Sequence, residues 1–149
     1  MQQLHALSVC GHFVLVTVEA AVKPTEDPAK VREALLRFFP EAVVTEAAGA
    51  LRATTTDLRP LRKRVWELRI IDTFRGQYLH AIEGNSTMLR LSKQAALGNH
   101  ISFPPTPHVL GDLRVTVTAE PGDLLDIERL GWWLCPETKD GEIVGPIDS

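Results

Sequence analysis

The sequence predicts an α+β fold: a single two-layer domain in which a mostly antiparallel sheet is backed by helices. Two observations predict it. β-branched, alternating stretches at 13–22, 87–92 and 113–120 read as strands, and segments with apolar residues at helical spacing lie between them. A third observation excludes a rival, because no Gly-rich loop follows a strand, as a doubly wound nucleotide-binding fold would require. The 149 residues suit one domain with a sizeable core. Residues 1–12 are expected as an N-terminal extension, 13–135 as the domain and 136–149 as a polar C-terminal tail.

Each element follows from local chemistry. In 13–22 Val14, Val16 and Val18 alternate with Leu15, Thr17 and Glu19. A helix follows, with Thr25 or Asp27 as its cap and Pro28 in its first turn. Val31, Leu35 and Phe38 line its inner face, and Pro40 ends it by pushing Phe39 out of the α region. Residues 41–45 and 50–55 are β-prone around "EAAGA" and predict a hairpin. A second helix starts after Asp57 with Leu58, Leu61, Val65 and Leu68 as its apolar face, breaks between Arg69 and Asp72, and resumes to Ile82. "EGN" at 83–85 marks a turn, "KQAALGN" a helical turn closed by Gly98, and "HISF" a short strand before "PPTP" at 104–107. The last helix lies in "GDLLDIERLGWWL", with Leu124, Ile127 and Leu134 inward and one of Trp132 and Trp133 in the core.

The longest apolar runs are far too short to span a bilayer, and the N-terminus lacks the charged start and apolar core of a signal peptide. Cys10 and Cys135 sit in no metal or redox spacing and read as reduced thiols. These features give the expectation of a cytoplasmic protein that makes no membrane contact. The net charge of -3 hides an uneven distribution. Residues 1–51 carry -2, residues 52–94 carry +5, and residues 95–149 carry -6.

The positive charge peaks in "RPLRKRVWELR", residues 59–69. On a helical projection Arg59, Arg62, Lys63 and Arg69 are expected opposite the apolar arc, with Trp66 exposed among them. Cations there would meet phosphates, and the indole would stack on a base. Arg75 extends the patch if it folds nearby. Lys93 and Gln94, at a strand end, suit contacts to a phosphate and a base edge. The bland alternative is a solvated helix face with Trp66 at the core edge.

Several stretches taken together, "VTVEAAVKPTEDPAKVREAL", "FFP", "RIIDTFR", "IEGN" and "LSKQAA", resemble a family of archaeal proteins described as RNA-binding. The resemblance covers roughly residues 14–120. It implies an α+β fold similar to the ribosomal large-subunit protein that binds 5S rRNA, and folded RNA as the partner. It carries no catalytic residues. The sequence departs from the family pattern at Ser92, where Asn is usual, and in its acidic C-terminal third.

No metal, nucleophile-elbow or phosphate-loop pattern appears. His5, His12, His80, His100 and His108 are not at ligand spacing, so neither a metal nor another cofactor is expected. The leading reading is a non-enzymatic RNA-binding domain using Arg59, Arg62, Lys63, Trp66, Arg69, Arg75, Lys93 and Gln94. Two rivals stand beside it. One is a protein-interaction or self-association module, a homodimer being the simplest case. The other is a binder of, or enzyme on, a phosphorylated small molecule.

Overall fold

The computed structural model describes residues 14–47, 49–104, 112–119, 126–140 and 142–144. The alternating valines form β1 (Val14–Ala21), whose even-numbered residues are buried and whose odd-numbered ones face outward. Helix α1 (Pro28–Phe38) starts where the Asp27 carboxylate accepts the Ala29 N–H at 3.0 Å. It buries Val31, Ala34, Leu35 and Phe38. The predicted hairpin is β2 (Val43–Ala47) and β3 (Ala50–Thr55), turned at Gly49 with φ +74°, a conformation that glycine adopts without a Cβ penalty.

The second helical segment divides as expected. α2 spans Arg59–Glu67 and α3 Ile71–His80, and between them Arg69 takes φ +59°. The turn at 83–86 leads into β4 (Ser86–Leu91). The short helix α4 (Lys93–Leu97) is capped by the Ser92 hydroxyl, which accepts the Ala95 N–H at 3.1 Å. β5 (Leu113–Ala119) and α5 (Ile127–Leu134) complete the domain, and the Asp126 carboxylate caps α5.

Among the described residues the strands form one five-stranded antiparallel sheet in the order β2-β3-β1-β5-β4. The inward residues Val16, Val18, Ala53, Leu89, Val115 and Val117 form a continuous core with the helices. α3 and α5 are locked together closely. Tyr78 donates its hydroxyl hydrogen to Ile127 O at 2.7 Å, and a Cβ on Gly131 would lie 2.5 Å from the Tyr78 ring.

Three expectations change. "HISF" is not a strand, because its backbone is held by α4: the His100 N–H donates to Ala95 O at 2.8 Å, and Ser102 O accepts the Ser92 N–H. Part of the segment read as a tail forms a hairpin, β6 (Thr138–Lys139) with β7 (Glu142–Ile143). Leu68 is half-buried at the α2 terminus and not a full member of the inner face. Trp133 is buried and Trp132 is exposed, as the adjacent pair on a helix required. Leu124, Cys10, His5, His12, His108 and "PTP" at 105–107 lie outside the described residues.

Candidate nucleic-acid interface

Helix α2 positions the basic cluster, and its own geometry sorts the cations. At about 100° per residue, Arg62 lies only about 40° from Leu58, beside the apolar arc and not opposite it. The structure accordingly turns Arg62 inward, to 8% exposure. Its guanidinium carbon sits 4.2 Å from the ring centroid of Trp66 and 4.2 Å from that of Trp133. A cation between two indoles is held by both ring quadrupoles. Trp66 is half-buried and donates its Nε1–H to Leu134 O at 2.8 Å. The expectation of an outward Arg62 and an exposed indole is therefore corrected: both join α2 to α5.

Arg59 and Lys63 do face outward. Arg59 is held at its base by Asp57, whose carboxylate accepts from Nε at 2.9 Å and from Nη2 at 3.2 Å. Burial raises the Asp57 carboxyl, but the hydrogen bonds and charge of Arg59 outweigh it and hold the carboxyl below its ordinary value. Arg59, Arg62, Lys63, Trp66 and Glu67 line one surface groove of about 460 Å³.

The remaining predicted residues are dispersed. Arg69 pairs with Glu142 of the hairpin at 2.6 Å, with both side chains exposed. Arg75 is a clamp: it donates to Cys135 O at 3.2 Å, Pro136 O at 2.9 Å and the Asp72 carboxylate at 2.8 Å. Its guanidinium carbon also lies 4.7 Å from the Trp132 ring. Asp72 additionally accepts from the Thr138 hydroxyl, which fastens the hairpin to α3. Lys93 is buried. Its Nζ donates to Ala21 O at 2.6 Å and to both Glu26 carboxylate oxygens, at 3.0 and 3.2 Å. Burial alone would raise the Glu26 carboxyl, but the Lys23 N–H and the Lys93 ammonium hold it below its ordinary value. Gln94 is exposed on α4. Cys135 is a buried free thiol pushed up to about 12 by desolvation, so it stays protonated and unreactive at neutral pH. No group of three metal-ligating side chains exists among the described residues.

Arg52 and Arg114 stand outside the sequence-predicted set, and the sheet register brings them together. Glu19 is paired with Arg52 on one side and with Arg114 on the other, and Arg114 is paired with Arg90. Cross-strand partners share a face, and this face points away from the helices. A sequence signal for it exists. The triplets "LRA" at 51–53, "LRL" at 89–91 and "LRV" at 113–115 each place an arginine at the outward position of a strand between two apolar residues.

A two-layer α+β domain with a basic groove beside a pair of indoles belongs among nucleic-acid-binding candidates, and a family model described as RNA binding matches residues 15–119. The chain belongs to the UPF0201 family. It is 36% identical over 132 residues to the UPF0201 protein of Methanothermobacter thermautotrophicus, a match covering 87% of this chain and 96% of the relative. It is 32% identical over 141 residues to that of Aeropyrum pernix, covering 88% and 91%. The crystal structure of the UPF0201 protein from Methanococcus jannaschii superposes with a TM-score of 0.80 at 30% identity, covering 88% of this chain and 99% of that one. No helix among the described residues is long and apolar enough to cross a membrane.

Proposed function

We propose that this protein binds RNA and that the α2 groove supplies part of its electrostatic affinity. The observation that carries the reading is the groove itself, which Arg59, Arg62 and Lys63 line together with Trp66. The family description as RNA binding supports it. Arg59 and Lys63 contact phosphates. Arg62 adds its charge from within the indole sandwich, where it also fixes the groove wall. Trp66 has Arg62 over its ring and Leu134 O on its Nε1–H, so its role is to hold the cation and not to stack on a base. Folded RNA, the partner that the family resemblance implies, suits contacts of this backbone-directed kind.

The test is binding to total cellular RNA and to 5S rRNA across a salt series, for the wild type and an Arg59→Glu/Lys63→Glu variant. Removing one phosphate-binding cation lowers the slope of log affinity against log salt by about one, so the variant's slope falls by about two. A wild type that binds no RNA at low salt overturns the reading.

A further inference from the structure

The sheet face opposite the helices is accessible and chemically ordered in rows. One row across the strands is Thr45, Arg52, Glu19, Arg114 and Arg90. The next is Val43, Thr54, Thr17, Thr116 and Met88, and Thr118 follows between Leu15 and Ser86. Arg52 and Arg114 are exposed, and neither guanidinium makes a hydrogen bond or ion pair among the described residues. Arg90 lies 3.6 Å from Asp112. Three of the exposed large apolar side chains, Val43, Leu15 and Met88, border the threonines.

We infer that this face binds double-helical RNA through its backbone, as a surface separate from the α2 groove; the inference rests on the RNA-binding reading above. Three features select that occupant. First, arginines without partners are strong phosphate ligands, and adjacent strands about 4.8 Å apart space them as a line across the sheet. Second, no outward position of the described strands carries an aromatic ring, so bases have no stacking platform and a single strand gains little. Third, hydroxyls and one carboxylate stand beside the cations. A carboxylate repels phosphate but accepts a hydrogen bond from a ribose 2′-hydroxyl, and threonine both donates and accepts. Such groups suit the shallow minor groove of an A-form helix, where 2′-hydroxyls and phosphates are displayed and sequence is not read. In this arrangement Arg52 and Arg114 hold phosphates of the backbone, while Glu19, Thr17 and Thr116 contact 2′-hydroxyls.

The experiment compares an RNA duplex of about 20 base pairs, the same sequence as single-stranded RNA, and the matching DNA duplex. It uses the full chain, an Arg52→Glu/Arg114→Glu variant and a Thr17→Val/Thr116→Val variant, with unfolding curves and light scattering for each. The expected result is a preference for the RNA duplex over both others. The arginine reversal weakens duplex binding at least about tenfold and lowers the salt slope by about two. The threonine variant narrows the RNA-over-DNA preference and leaves the slope unchanged. Preference for the single strand, or duplex affinity unchanged by the arginine reversal in a folded variant, overturns the inference. So does a wild-type dimer that the reversal converts to monomer while RNA affinity is unchanged, since a second copy then covers the face. Wild-type binding that disappears with Arg59→Glu/Lys63→Glu but survives Arg52→Glu/Arg114→Glu removes this surface alone. Absence of all RNA binding removes the function itself.

Discussion

The basic helix and the open sheet face hold similar charge in opposite ways. On α2 the cations are crowded in sequence, yet all but Lys63 already have a partner among the described residues. Arg59 is held by Asp57, Arg62 lies between two indoles and Arg64 pairs with Glu67 at 3.2 Å. On the sheet Arg52 and Arg114 are far apart in sequence, adjacent to the same Glu19, and without partners among the described residues. Charge density along a chain and charge available to a ligand are therefore different quantities. A helix offers its neighbours carboxylates three or four residues away and faces the core with part of its surface, whereas on the sheet Arg52 and Arg114 share the single cross-strand carboxylate of Glu19 and form no ion pair with it.

The comparison sharpens most where a sequence-predicted contact is structural. Lys93→Met leaves the half-buried Glu26 carboxylate without its cation, and since breaking a fully buried pair costs about 3 kcal/mol, the loss here is about 2 kcal/mol; denaturant unfolding measures this, and a cost under about 1 kcal/mol breaks the assignment. The same pair has a pH signature. The Glu26 carboxyl is lowered in the fold, so its contribution is present at neutral pH and is lost as pH falls below its ordinary value of 4.5. Thermal unfolding between neutral and acid pH reads that loss, and the Lys93→Met protein retains only the part due to the Lys23 N–H and charge.

Arg62→Ala removes the cation shared by Trp66 and Trp133, and about 2 kcal/mol of stability goes with it. Gly131→Ala overpacks Tyr78 and costs about 1–3 kcal/mol, a check that α3 and α5 are locked as described. The smallest effects belong to the sheet. Arg52→Ala and Arg114→Ala each change stability by less than about 0.5 kcal/mol, because they lose no hydrogen bond or ion pair among the described residues. Melting curves for Arg62→Ala beside Arg114→Ala thus set the two regions against each other directly. Equal losses would erase the distinction.

Much of the fold was legible in the residues. The valine alternation of β1, the Asp27 and Pro28 start of α1, the turns at Gly49 and 83–86, and the break at Arg69 all follow from local rules. "HISF" was misread because its β-prone composition says nothing about which carbonyls lie nearby, and α4 supplied them. The helical projection identified Arg59 and Lys63 as outward but misjudged Arg62, which borders the apolar arc and found two rings contributed by α2 and α5. Lys93 looked like a free cation, because its partner Glu26 lies at the start of α1.

By itself the sequence determined the type of most elements, the burial parity of β1 and the positive charge of the middle segment, since these depend on spacing within one element. The tertiary structure alone decided the long-range partners of the arginines. Pairing depends on register and on elements that meet from distant parts of the chain: β1 brings Glu19 between Arg52 and Arg114, and α5 brings Trp133 over Arg62.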